Sequence, residues 1–301
     1  MASFKSINAP ASSSSSIQFY DLATSPPALP SAPNPCKARY ALNYKRVPYI
    51  TTWIPLTHIA SVRKSTGTTA VRQFADGTDY HTIPFLVDGE TVVGDSFDIA
   101  RYAQTYAPAT SGAEPGPSLT STTSFIPDLF PALALDYTSP YLDDSQYFAP
   151  LSVRSGEETA VLDVYANFNR HVDATFSAFV ILAVDGIPFE TETANEVRTE
   201  FVRRAGVPSW DALVVTGEAR RTMLAGFEKG LEGLAQMYIA SSKSGPFLMG
   251  DTVTYADMIV GGWLRMMSVT LPAEEWAEMQ AWHGRVFGRL FDGLQPWGEA
   301  R

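Results

Sequence analysis

Between Thr82 and Tyr102 the chain reads Thr-Ile-Pro-Phe-Leu-Val-Asp-Gly-Glu-Thr-Val-Val-Gly-Asp-Ser-Phe-Asp-Ile-Ala-Arg-Tyr, an order that few folds accommodate. Two short apolar runs, 83–87 and 91–93, flank Asp88-Gly89, a strong β-hairpin signal. Pro84 lies inside the first run, where it removes a ladder donor and demands an edge, a bulge or a cis bond. Gly94-Asp95-Ser96 then opens a helical pattern of Phe97, Ile99, Ala100, Tyr102 and Ala103. A carboxylate and a hydroxyl at a helix start cap its free N–H groups, and the same groups suit a small anion. From the pattern, Asp95-Ser96 is either a plain cap or a ligand contact.

Upstream, the pattern predicts a strand over 17–22, a helix from about Pro35 to Lys45 and a strand over 49–54. A loosely patterned stretch follows over 56–80, with room for one short helix, and the helix after the hairpin is expected to end near Tyr106. A βαβ unit followed by ββα is the order of a thioredoxin-like domain. Residues 108–117, Pro-Ala-Thr-Ser-Gly-Ala-Glu-Pro-Gly-Pro, read as a linker. Beyond them helical periodicity dominates: Leu224, Phe227, Leu231, Leu234, Ala235 and Tyr238 share one face. Residues 253–267 are nearly apolar all round, as in a helix at the centre of a bundle, and Thr254 with Asp257 has capping-box form. The expected class is therefore α/β plus all-α. Residues 1–16 are expected to form a disordered tail, 17–107 a thioredoxin-like domain, 108–120 a linker and 121–301 an all-helical domain.

Composition narrows the function. A formal charge of -10 argues against a nucleic-acid surface, which needs clustered Lys and Arg. One cysteine excludes an intrachain disulfide framework. No stretch approaches the roughly 18 to 20 apolar residues of a membrane span, and the N-terminus lacks an apolar signal core, so a cytoplasmic protein is expected. Four histidines (58, 81, 171 and 283) show no metal spacing, so no metal is expected. Gly226, Gly230 and Gly233 lie inside a helix pattern, where they permit close packing rather than cradling a phosphate.

These residues resemble cytosolic glutathione transferases from about Ile17 to Trp297. Phe247-Leu-Met-Gly-Asp-Thr-Val-Thr-Tyr-Ala-Asp-Met-Ile259 is similar to the family's capping-box segment. Asn34-Pro-Cys-Lys-Ala-Arg-Tyr-Ala-Leu-Asn43 resembles the first helix of the fungal FuA class, which is related to bacterial β-etherases. The resemblance implies glutathione as co-substrate. Its backbone would pair with Ile83 ahead of a cis Pro84, its γ-glutamyl end would meet Asp95 and Ser96, and Asn34 matches the class motif. It also implies an apolar, aromatic electrophile bound between the domains, as in detoxification or secondary metabolism. The chemistry would be conjugation, or cleavage of an ether or thioester. Family members commonly form homodimers.

One departure bears on the chemistry. Where the class carries its catalytic Ser before Pro-Asn, this chain has Ala32-Pro33-Asn34, with Ser31 one place earlier. Asn34 precedes Pro35, a good first helical residue, so it is expected as the N-cap with its amide NH₂ free to stabilise a thiolate; Ser31 is the alternative. Cys36, early in a helix beside Ala38 and Tyr40, reads as a packed small residue. With Ala32 donating nothing, a ligandin-like binder of aromatic metabolites is the second reading. A third, weaker one takes Gly94-Asp-Ser-Phe-Asp98 as an imperfect hydrolase elbow served by His283.

Overall fold

The computed structural model describes residues 16–68, 70, 72–74, 76–106, 126–142, 160–241 and 245–301. The expected tail and linker fall almost wholly outside these residues. Strand β1 (Ile17–Leu22) pairs in parallel with β2 (Tyr49–Ile54), Ile17 opposite Tyr49, across helix α1 (Pro33–Tyr44). After α2 (Ile59–Ser65), residues 72–73 and 79–80 form a separate two-stranded ladder, β3 and β4, where the sequence showed only loose patterning. Strand β5 (Phe85–Asp88) returns antiparallel to β1 and turns through Gly89, at φ +57°, into β6 (Thr91–Gly94). The sheet order is β2-β1-β5-β6, and α3 (Ser96–Thr105) follows.

The period of two sorts the sheet's side chains. Ile17, Phe19 and Leu86 join the main core, whereas Tyr20, Leu22, Phe85 and Val87 join a smaller cluster with Ile54, Ile59 and Val62. Arg39 and Asp21 meet in the core at 2.6 Å, the guanidinium also donating to Tyr49 and Thr51.

The second half is helical: α4 (Ala160–Ala178), α5 (Ile181–Val184), α6 (Ala194–Ala205), α7 (Gly217–Gly230), α8 (Glu232–Ser241), α9 (Tyr255–Thr270) and α10 (Ala273–Leu294). The apolar face read over 224–238 is shared by α7 and α8, interrupted at Leu231. A Cβ on Gly230 would come within 2.9 Å of the Tyr141 ring, so close packing is this glycine's role. Helix α9 is buried on nearly every side. The Asp257 carboxylate accepts from the Thr254 N–H and hydroxyl and from the Leu248 N–H, completing the expected capping box. Helix α9 also carries α1: a Cβ on Gly262 would lie 2.5 Å from the Pro33 carbonyl oxygen, and Arg265 Nε donates to the Pro30 carbonyl at 3.1 Å. The turn into α1 is thus held by the other half of the chain.

Candidate glutathione site

Helix α1 starts two positions earlier than its sequence suggests. Ala32, not Asn34, is the N-cap, with extended φ/ψ of -79° and 132°, and its carbonyl accepts from the Cys36 N–H at 3.1 Å. Pro33 takes the first helical position, where its fixed φ suits the helix. Pro35 is tolerated because it still lies in the first turn, where no carbonyl of the helix awaits its missing N–H. Asn34 is therefore inside the first turn, half-buried, and makes no capping bond. Since neither proline has an N–H, the donors left uncommitted by the helix itself at this end are those of Ala32 and Asn34.

The Ile83-Pro84 bond is cis, and the Asp95 N–H donates to the Pro84 carbonyl at 3.3 Å, tying this strand end to the start of α3. Ile83 and Thr82 face the α1 turn across a cavity of about 160 Å³. Its apolar floor is Leu22, Leu56 and Ile59; residues 32–35 form one wall, and Arg204 of α6 reaches in from the helical domain. Asn34, Ile83 and the backbone before the cis bond thus come together in one space. Ser31 does not line it; it is buried behind the turn.

Asp95 and Ser96 form a neighbouring station outside that lining. Asp95 sits at φ 66°, ψ 162°, a region that costs a non-glycine residue about 1–3 kcal/mol. Its Oδ1 accepts from the N–H groups of Phe97 (2.7 Å) and Asp98 (3.1 Å). Beside it the buried Arg63 guanidinium lies 4.9 Å over the Phe85 ring, with Nε and Nη1 unpartnered among the described residues. Burial pulls Arg63 below the usual guanidinium range, and the Asp95 charge opposes that shift.

Cys36 is 2 % exposed, and burial, then the nearby Asp21 charge, push its thiol up to about 12. It stays a neutral packed group. His283, the third member that a hydrolase reading needs, is engaged through Nε2 with the Glu228 carbonyl at 2.9 Å. Phe130 and Tyr137 are core side chains, Tyr141 is exposed, and Phe125 lies outside the described residues. Among the described residues no cluster of three or more His, Cys, Asp or Glu is placed to hold a metal ion, and no helix is long and apolar enough to cross a membrane.

Two contacts between the halves of the chain have no sequence signal. Arg204 comes from a helix 123 residues beyond its carbonyl partner His81, and nothing in its local pattern marks it. Lys37, fully buried, reaches Asp173 of α4 at 2.5 Å; that carboxylate also accepts from Trp263 Nε1 at 2.6 Å.

A thioredoxin-like sheet with a cis-proline strand facing the first helix, joined to a helical bundle, defines the architecture of glutathione S-transferases. Models of that family's N-terminal and C-terminal domains match residues 33–105 and 171–297, and the chain belongs to the glutathione S-transferase family. A glutathione S-transferase of Ceriporiopsis subvermispora, CsGST63524, solved with glutathione, has a similar fold (TM-score 0.70, 22% identity, 95% of this chain and 99% of that one). The Phanerochaete chrysosporium glutathione transferases GSTFuA2 (0.68, 22%, 96% and 100%) and GSTFuA3 (0.67, 21%, 96% and 100%) are comparably similar. Comparison with curated proteins finds no match.

Proposed function

We propose that the protein binds glutathione with its thiol at the start of α1 and adds the thiolate to an apolar, aromatic electrophile, by conjugation or with cleavage of an ether or thioester. The observation that carries this reading is the convergence of Asn34 and Ile83 on one cavity. The tripeptide backbone pairs with Ile83 like an added strand, and its γ-glutamyl end reaches Asp95 and Ser96.

A thiol near its free pKa of about 8.5 needs about 2.7 kcal/mol of preference for the anion to fall by roughly two units. A helix N-terminus contributes about 0.3–1 kcal/mol, and up to about 2 in partly buried geometries. Two of the first three helical positions are prolines here, which thins the N–H groups available to the sulfur. One hydrogen bond to a charged group contributes about 1.5–3 kcal/mol and closes the gap. The Asn34 amide, on the cavity wall, is the donor we assign, and Ser31 is the alternative if the turn shifts. A cytoplasmic homodimer is the setting we assign to it.

Ala32 favours a second reading. As N-cap it offers no side-chain donor, so a ligandin-like binder of aromatic metabolites with little turnover also fits. A thiol-transfer assay run beside ligand-displacement titration separates the two. Under the enzyme reading the parent turns over, and Asn34→Ala loses at least tenfold more kcat/KM than Ser31→Ala. Equal activity of both variants with the parent removes the Asn34 role; tight binding without turnover in the parent leaves the binder.

A further inference from the structure

The cavity takes a cation from the other domain. Among the described residues lining it, Arg204 alone is charged. Its Nε donates to Glu200 Oε1 at 2.8 Å, its Nη1 donates to the His81 carbonyl at 3.0 Å, and the guanidinium lies 5.0 Å from the Tyr80 ring centre. The side chain is 11 % exposed. Those two bonds use two of the five N–H donors of a guanidinium. Nor does Glu200 neutralise it alone, because both oxygens of that carboxylate also accept from Arg203, at 2.8 Å each. Arg204 is thus an oriented, largely desolvated cation with spare donors, facing a space otherwise lined by apolar groups, Asn34 and Thr82. A carboxylate entering such a space requires a partner of this kind, and the guanidinium fork matches its two oxygens.

The direction of the tripeptide says which carboxylate. Its cysteinyl residue is central: with the sulfur at the α1 turn and the γ-glutamyl end toward Asp95, the glycyl end runs the opposite way. We propose that Arg204 binds the glycyl carboxylate of glutathione, so that the helical domain supplies part of the glutathione site itself. This rests on the glutathione reading above. Arg204 then makes the protein selective for thiols bearing a free C-terminal carboxylate.

Titration calorimetry of the full chain with glutathione and with its glycyl monoethyl ester, in which that carboxylate is blocked, tests the assignment. The wild-type protein binds the ester about tenfold or more weakly, the worth of a charge-assisted contact. Arg204→Gln loses about tenfold in affinity for glutathione and little for the ester, so the ratio falls toward one. Arg204→Lys keeps the charge and part of the preference. Equal wild-type affinities for the two thiols, or a wild-type ratio retained in Arg204→Gln, overturn the assignment while leaving glutathione binding intact. If Arg204→Gln fails to fold for want of its His81 and Glu200 contacts, the wild-type ratio and the Lys variant decide. A wild-type protein that binds neither thiol sinks the glutathione reading and this inference together.

Discussion

Two side chains near the start of α1 illustrate how environment, not residue type, assigns chemistry. Cys36 carries the chain's own thiol within one turn of the cavity, yet it faces the core and its proton is held by burial. A neutral, inaccessible sulfur neither attacks an electrophile nor exchanges with disulfides. The native protein at pH 8 is therefore expected to show no reaction with a thiol-specific reagent, and one equivalent to react once denaturant unfolds the chain. Rapid labelling of the native form would refute the placement. Asn34 has the opposite history. Its motif position and flanking prolines were legible, but its place in the helix was not. The bias that proline imposes on its predecessor would make Asn34 the cap, and Pro33 overrides it by occupying the first helical position itself.

Among the elements, α9 shows how a local signal becomes a structural device. The Thr254–Asp257 pattern marked its start in the sequence, but the third donor to Asp257, the Leu248 N–H, arrives only through the fold. Burial raises the Asp257 pKa to about 6 from 3.8, its hydrogen bonds opposing that rise. With the folded value above the unfolded one, the group's contribution is full below about pH 3.8 and lost as pH rises through about 6. An Asn at this position has no such titration. The stability advantage of wild type over Asp257→Asn should thus shrink between pH 4.5 and 7, read as converging thermal midpoints. A gap independent of pH would show that Asp257 ionises normally. The hairpin β5–β6 was equally legible, since alternation and an Asp-Gly turn are properties of adjacent residues. The β3–β4 ladder was not: two residues a side give no period to read.

Across the whole molecule, the domains meet at α1 as well as at Arg204, and among the described residues an ion pair between the fully buried Lys37 and the half-buried Asp173 ties α1 to the helical half. Lys37 Nζ is shared between Asp173 and Asn169, and the Asp173 carboxylate also takes the Trp263 indole N–H, so α1, α4 and α9 converge on it. Burial pulls the Lys37 pKa down, and Asp173 opposes the shift. Asp173→Ala strands an ammonium in the core and should cost about 3–5 kcal/mol in urea unfolding, whereas the double change Lys37→Met with Asp173→Leu should recover most of it. A double variant no more stable than the single one would mean that the pair itself, rather than the cost of an unpaired charge, holds the domains.

The β1 and β2 strands, the proline-bearing hairpin, the α3 cap and the capping box of α9 were determined by the sequence alone, because each depends on residues within a few places of one another. Backbone period, missing N–H groups and side-chain caps act at that range. Which charges become neighbours was decided by tertiary packing. Lys37 and Asp173 are 136 residues apart, and Arg204 reaches the cavity only because α6 docks beside the segment that leads to Pro84. A charged side chain carries no local record of the partner that will desolvate it, so the backbone around the cis proline could be read from the sequence and the cation across the cavity could not.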